Sequence, residues 1–219
     1  MAEANMVLSY RTLKEPCEAE IEEKKSRFIA HLQPVHSQEE AAEFIAGMKK
    51  KYWDARHNCY AYVIGADGAL KNFSDDGEPS QTAGRPMLEI LERNALTDAA
   101  VVVTRYFGGV LLGTGGLVRA YQGALQEALS AAEIVTMRLG TLLHVTTDYG
   151  YIGAILRHIE AGDVRLEGSE YTERIRLQVW VPAEQEEGFQ KTLTQLTLGS
   201  AVFDREGQAY RAIQPSGSP

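Results

Sequence analysis

The 219-residue sequence has only two cysteines, Cys17 and Cys59. Two thiols make neither a disulfide framework nor a zinc site, so a reducing compartment is expected. Long apolar runs are also missing: none approaches the roughly 20 residues that a membrane helix needs. The N-terminal MAEANMVLSYRTLKE has no basic stretch followed by an apolar core, so no secretion signal is read there. These features together give a cytoplasmic expectation with no membrane partner. Basic residues are outnumbered, 22 Lys and Arg against 30 Asp and Glu, for a formal charge of −8. Residues 1–138 hold 15 basic and 19 acidic side chains, and the remainder 7 and 11. A broadly basic nucleic-acid binder is thereby excluded, and any RNA contact has to use a local patch. Lys49, Lys50 and Lys51, with Arg56 and His57 behind them, are one candidate patch. The alternative for the lysines is a solvated helix end near the negative pole of its dipole. No internal repeat is present, and no histidine stands at metal-ligand spacing.

Glycine, in contrast, is concentrated. Six of the twenty lie between Gly108 and Gly123, after the strand-like Ala99–Thr104 and before a helical pattern. Glycine offsets its entropy cost only where positive φ or close backbone approach is required. A strand-to-helix junction of this kind offers amide N–H groups to an anion. Gly108, Gly109, Gly113, Gly115 and Gly116, bracketed by Arg105 and Arg119, form a candidate phosphate seat. Tyr106 and Phe107 at its mouth alternate in direction, so one is free to stack on a base. The loop is not a Walker loop, because no Gly-Lys-Ser/Thr follows, and Val118 breaks the GxGxxG pattern.

Asp75, Asp76 and Glu78 gather three carboxylates beside Gly77 and Pro79. Four uses stay open: holding Arg105 or Arg119, capping loop amides, binding a divalent cation, or, together with Thr82, direct contact with the cationic groups of a partner. His57 and Cys59 share a strand face, but no third group orients them, so a Cys–His enzyme is a weak expectation. Cys59 reads better as a small buried residue.

The periodicities give an α+β chain. Residues 1–15 show no period. Glu20–Val35 reads as a strand, and Ser37 with Glu40 as a capping box opening a helix Gln38–Lys51. Strands at Asn58–Ile64 and Leu70–Phe73 follow around the turn Ala66-Asp67-Gly68. Next come a polar loop Ser74–Gly84, a helix with Pro86 in its first turn ending near Asn94, the apolar strand, and a helix with Leu117, Tyr121, Leu125 and Leu129. A new alternation from Leu142 marks a boundary near Arg138–Gly140. Beyond it the order strand, helix Ile152–Glu160, strands Asp163–Tyr171 and Arg174–Val181, helix Ala183–Leu196, strand Ala201–Ile213 is a ferredoxin-like βαββαβ. The expected organisation is an N-terminal domain 1–138, a C-terminal domain 139–213 and a disordered tail 214–219.

Three blocks in order, ARHNCYAYVIG (Ala55–Gly65), SDDGEPSQTAGRPML (Ser74–Leu88) and RYFGGVLLGTGGLVRAY (Arg105–Tyr121), resemble the motifs of the IMPACT family, which is linked to translation control. The segment after Gly140 resembles the C-terminal domain of bacterial members, so the resemblance covers nearly the whole chain. It implies an N-terminal α/β domain similar to a domain of a small-subunit ribosomal protein. With the ferredoxin-like domain, the pair resembles two consecutive domains of elongation factor G that approach transfer RNA on the ribosome. Eukaryotic relatives have an additional N-terminal protein-binding domain and compete for an activator of a kinase that senses amino-acid starvation; that role is not carried over. The motif falls on Arg56 and His57, Asp75 to Glu78, Thr82 to Gly84, Arg105 to Gly109 and Gly113 to Tyr121. Gln81 departs from a glycine in the family pattern, which restricts the loop backbone.

The leading expectation is a non-enzymatic RNA- or ribosome-associated protein without cofactor or metal, with Arg56, His57, Arg105, Arg119 and the glycine amides on phosphate. Replacing Arg105 and Arg119 with alanine is expected to weaken binding without unfolding. Two alternatives are a binder or enzyme for an anionic small molecule, with a metal on the Asp75–Glu78 cluster, and an adaptor whose C-terminal sheet meets a protein partner.

Overall fold

The structure, a computed structural model, describes residues 6–213; the expected tail at 214–219 lies outside the described residues. It is a mixed α and β chain with two antiparallel sheets and five α-helices. Two compact units form, residues 10–136 and residues 137–213 with 6–9. No described helix is long and apolar enough to cross a membrane.

The first unit is built on a sheet ordered β2-β3-β6-β4-β5: Cys17–Glu23, Ser26–Pro34, Ala99–Tyr106, His57–Ile64 and Leu70–Ser74. The short β1, Ser9–Leu13, precedes it; the Thr12 hydroxyl donates to the Asp98 carbonyl at 3.1 Å. Residues 9–13 were expected to be irregular, and their pairing is with distant chain that no local period reveals. Central β6 is apolar throughout because both sheet faces are covered. Val101 and Val103 meet helices α2 (Gly84–Arg93) and α3 (Thr114–Ala131), while Ala100 faces α1 (Gln38–Lys51). Helix α1 starts where its cap does: the Ser37 hydroxyl accepts from the Glu40 amide at 3.1 Å. The Glu40 carboxylate reaches past Ser37 to the His36 amide at 2.7 Å.

The single strand expected over Glu20–Val35 is instead a hairpin. Cys17 pairs with Leu32 and Glu23 with Ser26, and Lys24 and Lys25 form the turn with φ of 48° and 65°. Two successive positive φ values are those of a type I′ turn, which asparagine and glycine normally signal and lysines do not.

In the second unit β10 (Val202–Ile213), β7 (Ile134–Thr147), β9 (Ile175–Pro182) and β8 (Arg165–Tyr171) lie side by side in that order. Helices α4 (Ile152–Glu160) and α5 (Glu186–Leu196) supply Ile155, Ile159, Phe189 and Leu193 to a core with Leu143, Val145, Leu177 and Val179. Strand β7 starts eight residues before the alternation at Leu142, so Arg138–Gly140 lies inside a strand. Arg138 is held there by Asp163 at 2.9 Å and Glu184, and Gly140 leaves room for the Trp180 ring.

Candidate functional site

The sequence blocks converge at one end of the first sheet, where β6 finishes and β4 begins. Cross-strand pairing sets Arg105 between Phe28 on β3 and His57 on β4. These three point to the face that α3 covers, as alternation along each strand requires.

Arg105 is 6% exposed and its Nη1 donates to Glu78 Oε1 at 2.7 Å. The same carboxylate oxygen accepts from the Tyr121 hydroxyl at 2.9 Å. The Arg105 guanidinium carbon lies 5.4 Å from the Phe28 ring centre and 5.6 Å from that of Phe107, within cation–π range. Its Nε is buried without a partner among the described residues. Arg105 is therefore engaged internally, which corrects the expectation that it can be replaced without unfolding. A buried charge is stable only when paired, and removing one partner strands the other. Tyr121, expected to be packing alone, is the third member of this network.

The carboxylates diverge. Asp75 Oδ1 accepts from the amides of Ala83 and Gly84 at 2.9 and 2.8 Å, and Oδ2 from Gln81 at 2.7 Å. This anion caps the positive end of α2, whose N-cap Ala83 has no side chain for the task. Asp76 takes Lys49 at 2.6 Å and the Asn58 amide at 2.7 Å. Thr82 is buried and its hydroxyl donates to the Pro79 carbonyl at 2.6 Å. Among the described residues no three acidic, histidine or cysteine side chains gather to hold a metal ion. Holding an arginine and capping amides, two of the four uses open to this loop, thus occur together. Gln81 adopts φ of 61°, in the left-handed region that glycine enters without steric cost.

His57 Nδ1 lies 2.9 Å from the Asp76 carbonyl. The Cys59 sulfur is fully buried, 3.0 Å from the Asp75 carbonyl oxygen and 3.3 Å from the Tyr121 oxygen. Burial pushes the Cys59 thiol and the Tyr121 hydroxyl strongly up, which favours the protonated form of both and disfavours a reactive thiolate.

The glycine loop lies outside this buried network. A Cβ on Gly108 would collide with the Lys25 backbone, so Gly108 lets the loop lie directly against the β2–β3 turn. The Gly108 amide donates to the Ser26 hydroxyl at 3.1 Å. Gly109 and Gly113 take φ of 83° and 72° and bracket Val110 and Leu111, the latter 82% exposed. Gly113 is the N-cap of α3, without a side-chain cap and with no acid in the first turn. Gly115 and Gly116 lie in that first turn, so their amides belong to the set that an α-helix leaves unpaired. Arg119 is exposed just beyond it.

Around this end Lys24, Lys25, Arg56 and Arg119 are exposed and have no acidic partner among the described residues. Lys49 and Lys51 of the expected basic patch instead lie near Asp76 and Glu18. Tyr106 is held from the opposite sheet face: its hydroxyl donates to Asp54 at 2.8 Å and Arg27 lies over its ring at 5.7 Å. Phe107 is half exposed, and Trp53, in the turn after α1, is 82% exposed. Lys24, Lys25 and Trp53 had no place in the sequence-based site. The lysines are revealed only by the hairpin, and Trp53 carried no motif beyond its nearness to Arg56.

The Impact N-terminal domain model matches residues 24–129, and a domain of unknown function, DUF1949, matches residues 145–200. The IMPACT family member YvyE of Bacillus subtilis is 43% identical over 203 residues, covering 93% of both chains. YigZ of Escherichia coli is 39% identical over 181 residues, covering 81% of this chain and 88% of its own. Protein IMPACT of Bos taurus is 39% identical over 98 residues, 42% of this chain and 30% of its own. A crystal structure described as that of a hypothetical protein aligns with a TM-score of 0.62 at 35% identity, covering 90% of this chain and 97% of its own.

Proposed function

This chain belongs to the IMPACT family, and from that premise we propose that it is a non-enzymatic cytoplasmic protein that binds RNA or the ribosome and modulates translation. The observation that carries the proposal is the charge distribution. In a chain of formal charge −8, four exposed cations without acidic partners among the described residues lie at one end of the first unit. Lys24 and Lys25 are in the turn against which Gly108 packs, Arg56 directly precedes β4, and Arg119 lies beside Gly115 at the uncapped N-terminus of α3. Unpaired cations around free amides attract phosphate, and the acidic remainder repels it, so an RNA strand is drawn to one end only. The amides of Gly113, Gly115 and Gly116 at the start of α3 serve as the phosphate seat, the Gly108 amide being taken by Ser26, and Glu78, Arg105 and Tyr121 hold the adjoining end of the sheet. The βαββαβ order of the second unit supports the ferredoxin-like reading and, with it, the likeness to the elongation-factor domain pair.

Sedimentation of lysate through a sucrose gradient at low and moderate salt tests this. Comigration with ribosomal particles or free RNA is expected at low salt and is released by salt or ribonuclease. The Arg56→Ala/Arg119→Ala variant, altered only at exposed positions, is expected to stay at the top with an unchanged melting temperature. Wild-type protein at the top of the gradient under every condition would defeat the proposal.

A further inference from the structure

Trp53 and Phe107 are exposed in a way that their chemistry resists. An indole carries a large apolar area and is normally covered, yet Trp53 is 82% open to solvent and Phe107 50%. Both stand at the cation-bearing end of the first sheet. Trp53 precedes Asp54, whose carboxylate accepts the Tyr106 hydroxyl, and Phe107 follows Tyr106. Arg56 is three residues beyond Trp53, Arg119 follows the first turn of α3, and Lys24-Lys25 is the turn against which Gly108 lies. Neither ring is a member of the apolar clusters that form the cores of the chain.

Exposed aromatic faces interleaved with free cations are what an unpaired nucleic-acid strand requires. Its phosphates need cations, and its bases, freed from a partner strand, need a π surface to cover them. A duplex keeps its bases stacked on each other and offers phosphates, 2′-hydroxyls and groove shape, so rings of this kind gain nothing from it. Tyr106 and Phe107 each have an arginine on one side, Arg27 over Tyr106 at 5.7 Å and Arg105 over Phe107 at 5.6 Å. Phe107 is the one left 50% exposed, whereas Tyr106 is half-buried with its hydroxyl held by Asp54. We infer that the occupant of this end is an unpaired RNA strand, with a base stacked on Trp53, a second base on Phe107 and phosphates on Lys24, Lys25, Arg56 and Arg119. The inference rests on the RNA-binding proposal and narrows it to single strands.

The two tryptophans make the test direct. Trp180 is fully buried in the second unit, its indole N–H donating to the Ala209 carbonyl at 2.8 Å, so quenching by added RNA reports Trp53. The full chain is titrated with an unstructured oligoribonucleotide of about 12 nucleotides, and with the same strand annealed to its complement. The single strand is expected to quench emission saturably and to bind about ten-fold tighter than the duplex, which leaves emission unchanged. Trp53→Ala, followed by anisotropy of a labelled strand, is expected to weaken single-strand binding about ten-fold with an unchanged melting temperature, and Trp53→Phe to restore most of it. Equal affinity for strand and duplex, or an unaltered affinity of Trp53→Ala, overturns this inference and leaves the RNA-binding proposal standing. Failure of both probes to bind at low salt overturns the two together.

Discussion

Arg105 and Arg119 bracket one loop and end in different media. Arg105 is 6% exposed and paired with Glu78, and Arg119 is exposed with no acidic partner among the described residues. Arg105→Ala leaves the Glu78 carboxylate buried beside Tyr121, so a loss of about 3–5 kcal/mol is expected in urea denaturation. Arg119→Ala at a solvated position is expected to change stability by no more than about 0.5 kcal/mol. Equal losses from the two would contradict the buried network. Gln81 offers a second measurement. Its φ of 61° costs an L-residue about 1–2 kcal/mol, and glycine at the same position loses about 0.5–1 kcal/mol of entropy instead. Gln81→Gly is expected to raise the urea midpoint slightly, and a lowered midpoint would mean that the glutamine side chain contributes more than the strain it brings. The residue types of the site were legible in the sequence, since arginines, carboxylates and glycines stood out by density. Their pairings were not, because Arg105 meets Glu78 across 27 residues and Tyr121 meets Glu78 across 43. Local spacing holds no record of such distances.

Helices and strands with their own punctuation were legible to within a residue or two. Ser37 and Glu40 open α1, and Ala99–Thr104 lies within β6, where a buried central strand leaves a continuous apolar run. The β2–β3 hairpin escaped because its turn is Lys24-Lys25, with none of the asparagine or glycine that normally supplies positive φ. The omission mattered for the site, since it hid two of the four cations that have no acidic partner among the described residues. The same turn can be used to separate stability from binding. Lys24→Asn/Lys25→Gly places the preferred residues of a type I′ turn at both positions, so the melting temperature is expected to rise. Two phosphate contacts are lost at once, and the slope of log affinity against log salt is expected to fall by roughly 1–2 for single-stranded RNA. A variant with a raised melting temperature and an unaltered slope would remove the hairpin from the binding surface. Gly108 links this turn to the glycine loop. Gly108→Ala pushes a methyl group into the Lys25 backbone and is expected to cost about 1–3 kcal/mol, read as a lower urea midpoint.

Across the full chain the response to acid sums every group whose proton affinity changes on folding. His31 is 6% exposed between β2 and α1, with Nδ1 3.2 Å from Glu18 and Nε2 2.9 Å from the Tyr52 hydroxyl. Burial lowers its proton affinity first and the nearby Lys51 second, against the opposing pull of Glu18. The unfolded chain takes a proton near the ordinary value of 6.5, and the folded chain only at lower pH. Protonation therefore favours unfolding as pH drops through 6.5, and the stability held above that point is progressively lost until the folded form also protonates. Glu20 and Glu167 respond further down. Hydrogen bonds from Arg27 and Arg211 hold them below their ordinary 4.5, so their stabilisation is present above that value and is lost as pH falls below it. Both pairs are partly solvated, so their share is small. Stability is thus expected to decline in two stages, the first set by His31. His31→Gln retains a hydrogen-bonding side chain without the titrating proton. Urea midpoints measured from neutral pH to about pH 5 should fall for the wild type and stay level for the variant. Parallel declines in the two proteins would assign the first stage to another group and leave His31 with a packing role alone.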